Sequence, residues 1–193
     1  MSDWKALFND NSNFSQDKPY SLAAILTKLD KVTDLEHFNP YYLLSPLYDF
    51  TKIFGKISAG LAIGFKDITE KVDLMRAIFK GYPDVDNIQD LVKKEMELGI
   101  HTLTGKNNKD KGHGKDAYKK YISASRTFLR LLWFMEFLIR IFRKICTDDA
   151  KSLKEILKES YEEVLSPRHT AVVRTAVGAA LTFAGKNYFY YFI

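Results

Sequence analysis

The sequence is short of the residues that build cross-links and tight turns. It has one cysteine, Cys146, and only 10 glycines and 5 prolines among 193 residues. A lone cysteine excludes an internal disulfide, and scarce glycine and proline disfavour the many turns of an all-β fold. No run of about 18 apolar residues is present, so no segment is predicted to span a bilayer as a helix. The first ten residues lack the apolar core of a signal peptide, and we therefore expect a domain of the cytosol.

The overall composition is typical of a folded protein. Hydrophobic residues make up 46% and charged residues 27% of the chain, which excludes a wholly disordered polypeptide. The net charge of +5 is mild. It is compatible with an anionic membrane surface or with nucleic acid, but it requires neither partner.

Apolar residues recur at helical spacing, and no strand-like alternation of useful length occurs, so we predict an all-α fold. Residues 1–17 are polar and aperiodic, which indicates a loose N-terminal arm. Residues 18–193 are expected to form a single domain. The main predicted helices cover 41–80 (bent around Gly55 to Gly64), 88–103, 117–145, 152–165 and 169–186.

Two segments depart from the amphipathic pattern. Residues 104–116 carry four lysines and no apolar side chain. They are predicted to form a flexible surface loop, because they cannot bury enough surface to offset the entropy cost of ordering. From Phe128 to Phe142 the chain is apolar on every side of a helix, which predicts that neighbours surround this helix completely.

No catalytic or cofactor motif is recognisable in the sequence. The four histidines form no metal-binding pair of the usual spacing. Neither a glycine-rich phosphate loop nor a nucleophile elbow occurs. We therefore expect a protein that is not an enzyme and that uses no metal and no cofactor.

Two arginines interrupt the most apolar predicted helix. Arg126 and Arg130 are four residues apart and therefore share a helix face. Taking a guanidinium out of water is costly unless an anion faces it, and its five donors suit a carboxylate or a phosphate. Three interpretations remain open: an external acidic ligand, carboxylates of the chain itself, or side chains that extend to a hydrated edge.

Asp67 and Lys71 are likewise four residues apart, on the long predicted helix. An exposed pair at this spacing is ordinary and adds only about 0.3–0.5 kcal/mol to helix stability. His169 follows Pro167 at the start of the last predicted helix, where a histidine usually caps the helix or lies hydrogen-bonded in the core. Taken singly, neither feature identifies a site.

Taken together, three segments resemble a known family. FKDITEKVDLMRAI, SRTFLRLLWFMEFL and SPRHTAVVRTAV are similar, in this order, to the headgroup-site segments of the glycolipid transfer protein superfamily. The resemblance covers roughly residues 40–185. It implies an all-helical, two-layer sandwich that encloses one sphingolipid in an apolar pocket, with the headgroup at the surface.

The resemblance also implies roles for individual residues. Asp67 is expected to bind the sphingoid amide N–H and hydroxyl, and His169 to donate a hydrogen bond to the acyl-amide oxygen. Sugar-binding members have an asparagine at the position of Lys71 and a tryptophan at the position of Arg130. The combination of Lys71, Arg126 and Arg130 instead resembles the ceramide-1-phosphate transfer protein branch, in which these cations bind a phosphate.

We therefore expect non-enzymatic transfer between membranes of a phosphate-headgroup sphingolipid, above all ceramide-1-phosphate. A phosphomonoester brings up to two negative charges and three acceptor oxygens, enough to satisfy all three cations. The expected partners are this anionic lipid and, transiently, membrane surfaces, with no nucleic acid and with the protein as a monomer. The alternatives are a sensor or carrier of another lipid, such as sphingomyelin or a glycolipid, and a helical module that binds an acidic peptide.

One departure from the family concerns membrane docking. Members often carry a tryptophan two residues after the histidine, where this sequence has Ala171. Interfacial contact is then expected from Trp4, from the aromatic tail at 188–192 or from the lysines of the loop at 106–115.

Overall fold

The computed structural model describes residues 4–15, 21–33, 39–57, 59–102, 122–148 and 150–182. These ranges contain helices and no β-strand. None of the helices within them is both long and apolar enough to cross a membrane. The α-helices are α1 (Trp4–Asn9), α2 (Leu22–Asp30), α3 (Pro40–Ile57), α4 (Ala59–Gly81), α5 (Ile88–Glu97), α6 (Ala124–Thr147), α7 (Leu153–Val164) and α8 (Ala171–Thr182).

Helices α3 and α4 cover the residues for which one long helix, 41–80, was predicted, and residue 58 between them lies outside the described residues. The predicted loop at 104–116 and the end of the last predicted helix, 183–186, also lie outside the described residues.

The end of α5 differs from the prediction, which extended this helix to residue 103. Gly99 has a φ of 66°, a left-handed conformation that glycine adopts at little cost. The N–H of Ile100 donates to the carbonyl of Glu95 at 2.9 Å, and the N–H of Gly99 donates to that of Met96 at 3.0 Å. Together these bonds form a Schellman motif, which ends the helix at Glu97.

The chain divides into two compact units. Unit 1 comprises residues 1–46 and 71–130, and unit 2 comprises residues 47–70 and 131–193. Each unit has its own aromatic cluster with edge-to-face or tilted ring contacts, a favourable arrangement for buried rings. The cluster of unit 1 contains Trp4, Phe8, Phe14, Tyr41 and Phe79, and that of unit 2 contains Phe65, Phe134 and Phe137.

The N-terminal segment, predicted to be a loose arm, is held against α4 where it is described. Arg76 of α4 donates from Nε and Nη2 to the carbonyl oxygen of Phe8, at 3.2 and 3.1 Å. Its Nη2 also donates to Asn11 at 3.0 Å, and its guanidinium lies 3.9 Å from the ring centre of Phe14. Residues 4–15 thus have structure that their lack of periodicity did not indicate, because the stabilising partner is about 68 positions away in the chain.

In unit 2, ion pairs join α6 to α7. Lys144 of α6 contacts Glu159 at 2.8 Å and Glu163 at 2.7 Å, and Arg140 contacts Glu163 at 3.1 Å. Lys151, which precedes α7, also contacts Glu159 at 2.8 Å. Helix α7 begins with a capping box between Ser152 and Glu155 and buries its apolar face, as its amphipathic pattern predicted. This arrangement anchors the helix that leads to His169.

The prediction that neighbours surround α6 completely is wrong. Leu131, Leu138 and Ile141 are buried, whereas Leu132 and Phe142 are exposed and Ile139 is 53% exposed. Protein atoms therefore cover one side of the helix and leave apolar side chains exposed on the other, interspersed with the charged Glu136 and Arg143. Periodicity could not reveal this, because a helix that is apolar all round is compatible with any distribution of covering neighbours.

The start of α6 is fixed by a buried carboxylate on α5. Glu95 is 0% exposed. It accepts hydrogen bonds from the backbone N–H groups of Ala124 and Ser125 and from the hydroxyls of Ser123 and Ser125. The hydroxyl of Ser123 accepts from the N–H of Arg126 at 3.2 Å. The first N–H groups of α6, which have no partner within the helix, are thereby satisfied.

Replacing Glu95 with alanine is expected to lower the free energy of unfolding by at least about 2 kcal/mol, because two helix N–H groups and the hydroxyl of Ser125 lose their acceptor. Urea unfolding measures this change. The matched control is Glu97→Ala on the exposed side of the same helix, which should change stability by less than about 0.5 kcal/mol. Equal effects of the two substitutions would show that the carboxylate of Glu95 does not hold the start of α6.

The ion pairs between α6 and α7 are expected to weaken in acid. The carboxyl of Glu159 has a pKa of about 2, below its ordinary value of 4.5, chiefly because Lys144 and Lys151 hydrogen-bond to it. Because the pKa of Glu159 is lowered in the folded state, its ionised carboxylate stabilises the protein at pH values above the ordinary pKa of 4.5. This contribution to the free energy of unfolding is lost as the pH falls from 4.5 towards 2. The difference in free energy of unfolding between the wild-type protein and Glu159→Gln should therefore shrink towards zero as the pH falls through this range.

Urea midpoints at several pH values and salt concentrations test the expectation for Glu159. Because the pairs lie at the surface, added salt should also narrow the difference. Glu162→Gln is the control, since Glu162 makes only a long pair with Lys158, at 3.9 Å. A difference for Glu159→Gln that is independent of pH below 4.5 would contradict the assignment.

Candidate functional site

The five residues singled out by the sequence divide between the two units. Lys71 on α4 and Arg126 and Arg130 on the first two turns of α6 belong to unit 1. Asp67, one turn before Lys71 on α4, and His169, just before α8, belong to unit 2. The three predicted cations therefore lie in one compact unit, and the two predicted amide-binding residues lie in the other.

Arg126 carries an unsatisfied donor. Its side chain is half-buried, and its Nε is shielded from solvent with no hydrogen-bond partner among the described residues. A buried N–H without an acceptor costs about 1–3 kcal/mol, and more on a charged group. The side chain therefore has an unmet requirement for an acceptor, and a negatively charged acceptor would meet it best.

Three other arginines of the described residues are paired with carboxylates. Arg76, Arg140 and Arg168 each contact a carboxylate of the protein, at 3.6, 3.1 and 3.1 Å. Within the described ranges, neither Arg126 nor Arg130 contacts a carboxylate of the protein. Arg130 is exposed to solvent, whereas Arg126 is half-buried. The sequence left open that internal carboxylates pair with Arg126 and Arg130. In the described residues such carboxylates pair instead with three other arginines.

The backbone at the start of α6 is already engaged. Helix N-termini commonly bind anions through free N–H groups, but here Glu95 accepts from Ala124 and Ser125, and Ser123 accepts from Arg126. An anion bound near this end of the helix would therefore be contacted by side chains. The arginines, spaced by one turn, are the charged donors that α6 offers there.

Asp67 and Lys71 lie on the middle turns of α4. Asp67 is exposed and Lys71 is half-buried, so both side chains can be reached from solvent. One turn apart on a single helix, they present an acceptor and a cationic donor along the same face. On the same turns, Lys66 and Glu70 form a long surface pair at 3.9 Å.

His169 is held by its neighbours in unit 2. Its Nδ1 lies 3.1 Å from the hydroxyl oxygen of Tyr161, and the two ring centres are 5.7 Å apart. Tyr161 is buried on the last turns of α7. Burial raises the pKa of the Tyr161 hydroxyl above its ordinary value of 10.0, which the positive charge of Arg174 partly opposes.

The residue before the histidine is anchored to α6. Arg168 contacts Glu136 at 3.1 Å, and its guanidinium carbon lies 5.3 Å from the ring centre of Trp133. It also donates to the carbonyl oxygen of Val164. Because these contacts restrain the short turn between α7 and α8, the position of His169 depends on both α6 and α7.

Three of these supporting residues were missed by the sequence analysis. Glu95 had a detectable signal, because a charged residue four positions after Leu91 lies on the apolar face of α5 and must find partners there. Tyr161 and Arg168 had none, since their partners lie across a turn or on another helix. Of the predicted docking residues, Trp4 contacts Phe8 and Phe79, and both 106–115 and 188–192 lie outside the described residues.

Comparison with solved structures identifies the fold. Human ceramide-1-phosphate transfer protein, in complex with 2:0 ceramide-1-phosphate, has a TM-score of 0.71 at 17% identity, over 88% of this chain and 78% of that one. A point mutant of the Arabidopsis accelerated-cell-death 11 protein, complexed with C12 ceramide-1-phosphate, has a TM-score of 0.64 at 14% identity, over 91% and 77%. FAPP2, described as selecting simple glycosphingolipids, has a TM-score of 0.63 at 16% identity, over 93% and 71%.

At these identities the likeness establishes the shared all-α fold, and the predicted fold class is thereby confirmed. Among curated protein sequences, none matches the chain. The sequence profile of the glycolipid transfer protein family, in contrast, matches residues 42–190. This match spans most of the chain and includes every residue of the three motif segments, and the protein therefore belongs to the glycolipid transfer protein family.

Proposed function

We propose that this protein binds a sphingolipid with a phosphate headgroup, ceramide-1-phosphate, and transfers it between membranes without converting it. In this proposal Lys71, Arg126 and Arg130 bind the phosphate, and Asp67 and His169 bind the amide region. No metal, nucleotide or covalent step takes part. The lipid headgroup, the residue roles and the transfer itself are each open to a separate test.

The observation that carries the proposal is the unpartnered donor of Arg126. A buried guanidinium N–H without an acceptor is a cost in the empty protein that an anionic ligand removes. A phosphomonoester supplies three strong acceptor oxygens and up to two negative charges, and Arg130 one turn away adds a second fork of donors. A neutral sugar supplies hydroxyls but no charge to balance these cations.

The similar structures favour the same ligand. The human and Arabidopsis proteins are both described in complex with ceramide-1-phosphate. FAPP2, with the same fold, is described as selecting simple glycosphingolipids, so the fold alone does not decide between the two lipid classes. The residues at the headgroup positions support the phosphate lipid, because Lys71 and Arg130 stand where sugar-binding members are expected to have an asparagine and a tryptophan.

Asp67 and His169 suit an amide-bearing lipid. A carboxylate accepts from an amide N–H and a hydroxyl, and an imidazole N–H donates to an amide oxygen. Ceramide-based lipids carry both partners, whereas an ordinary phosphoglyceride has no amide N–H in its backbone. These two residues therefore favour a sphingolipid, and the arginines favour a phosphate on it.

The exposed apolar side chains of α6 offer contact area for the hydrocarbon chains. Leu132, Ile139 and Phe142 are exposed in unit 2, and Ile139 is 53% exposed. Burying a lipid methylene contributes about 0.8 kcal/mol, so a transfer protein needs such a surface to compete with the bilayer.

The arginines provide the first test. Arg126→Leu and Arg130→Leu are each expected to lower the rate of ceramide-1-phosphate transfer between vesicles by at least about tenfold, because each removes a charged donor to the phosphate. Arg126→Leu should leave the urea midpoint unchanged or raised, because it also removes a partly buried, unpaired charge. Arg143→Leu, an exposed arginine on the same helix, is the control and should transfer at the wild-type rate.

The same assay separates the alternatives. If both arginine variants transfer ceramide-1-phosphate at the wild-type rate, the phosphate assignment is wrong. Wild-type transfer of sphingomyelin or a glycolipid in preference to ceramide-1-phosphate would identify another cargo. Failure to transfer any of these lipids, together with binding of an acidic peptide that Arg130→Leu weakens, would favour a protein-interaction module.

Asp67 provides the second test. Asp67→Val should lower the transfer of ceramide-1-phosphate and of sphingomyelin alike, by about tenfold or more, because both lipids present the same amide and hydroxyl to the carboxylate. Glu70→Val, an exposed neighbour on the same helix, is the matched control. A loss restricted to one headgroup would contradict an amide-binding role for Asp67.

A further inference from the structure

The hydrogen bond between Tyr161 and His169 determines which imidazole nitrogen carries the proton. A neutral imidazole has one N–H, on Nδ1 or on Nε2, and its other nitrogen is an acceptor. Tyr161 lies at 5% exposure, and its hydroxyl oxygen is 3.1 Å from Nδ1 of His169. Either the hydroxyl donates to Nδ1, or Nδ1 donates to the hydroxyl oxygen.

Only the first arrangement gives the hydroxyl of Tyr161 an acceptor. Among the described residues, the hydroxyl of Tyr161 has Nδ1 of His169 as its hydrogen-bond partner and no other. If Nδ1 carried the proton, the O–H of a buried tyrosine would be left without an acceptor, at a cost of about 1–3 kcal/mol. Donation from the hydroxyl to Nδ1 avoids that cost and places the imidazole proton on Nε2.

We infer that Tyr161 is a positioning residue that holds neutral His169 with its proton on Nε2, so that Nε2 donates to the carbonyl oxygen of an amide ligand. The identity of that ligand rests on the proposed function. The tautomer does not, because it follows from the contacts of the protein alone. An amide carbonyl is an acceptor, so a histidine that binds it must present an N–H.

The surroundings restrain the imidazole in the same way. Arg168, bound to Glu136 and stacked near Trp133, fixes the backbone immediately before the histidine. Tyr161 fixes the ring from α7. A side chain held at both its backbone and its ring loses little freedom when it binds a ligand. Tyr161 thus supports binding without contacting the ligand.

The tautomer can be read directly by NMR. Long-range proton–nitrogen spectra of uniformly labelled protein at about pH 8, where imidazole is neutral, distinguish a protonated from an unprotonated ring nitrogen. His169→Gln identifies which of the four histidine signals belongs to His169. We expect protonated Nε2 and unprotonated Nδ1 in the wild-type protein, and in Tyr161→Phe a shifted Nδ1 signal with a new population protonated there.

The matched control is Ser160→Ala. Ser160 neighbours Tyr161 on α7, is fully buried, and its hydroxyl has no hydrogen-bond partner among the residues described. Removing this hydroxyl should leave the His169 signals at their wild-type positions. A wild-type protein with the proton on Nδ1, or identical His169 spectra in the wild-type protein and Tyr161→Phe, would overturn the inference.

Transfer assays add a readout that a purely structural role of Tyr161 would not produce. Tyr161→Phe should slow ceramide-1-phosphate transfer, but it should have no further effect when His169→Gln is already present, because both substitutions remove the same contact. Additive losses would overturn the positioning role. If the tautomer changes in Tyr161→Phe while neither substitution alters transfer, the tautomer assignment stands, and both the proposed lipid contact of His169 and the supporting role of Tyr161 in it are wrong.

Discussion

A guanidinium group that is shielded from water needs an acceptor for each of its donors, and this requirement organises the present structure. The protein meets it for Arg76 with a backbone carbonyl, an amide oxygen and an aromatic ring. It meets it for Arg168 with a carboxylate and an indole ring. For Arg126 it leaves Nε unsatisfied in the described part of the chain. Two of these arginines, Arg76 and Arg168, thus hold elements of the fold together. The third, Arg126, supports the proposed binding of an anion.

The scaffold around that site is arranged so that the arginines remain available. A helix start attracts negative charge, and the fold places a negative charge there, on Glu95. Because this carboxylate is occupied by the amides and hydroxyls at the start of α6, it satisfies the helix without forming an ion pair with Arg126. Unit 2 uses its own charges similarly, with Lys144 and Glu159 joining helices at the surface. In both units, ion pairs and charge-assisted hydrogen bonds thus stabilise the helices that carry or precede the predicted site residues.

The sequence predicted those features of the structure that depend on residues close together in the chain, and it missed most of those that depend on distant residues. The start of α7 was predictable, because Ser152 and Glu155 form a capping box within four residues. The end of α5 was missed although Gly99 marked it, since the apolar spacing continued past the glycine. The exposure of apolar side chains on α6 could not be predicted, because composition does not reveal which neighbours cover a helix. The contacts of Arg76 and Tyr161 join residues that only the folded chain brings together.

The proposed function depends on Arg126, whose unsatisfied donor a lipid phosphate would supply with an anionic acceptor. The most direct measurement follows the Nε–H signal of Arg126 in nitrogen-edited NMR spectra as short-chain lipids are added. Ceramide-1-phosphate and ceramide with identical chains differ only in the phosphate. The account predicts a large shift of this signal with ceramide-1-phosphate and little change with ceramide. An Arg126 signal that responds equally to both lipids, or to neither while the protein still binds ceramide-1-phosphate, would contradict it.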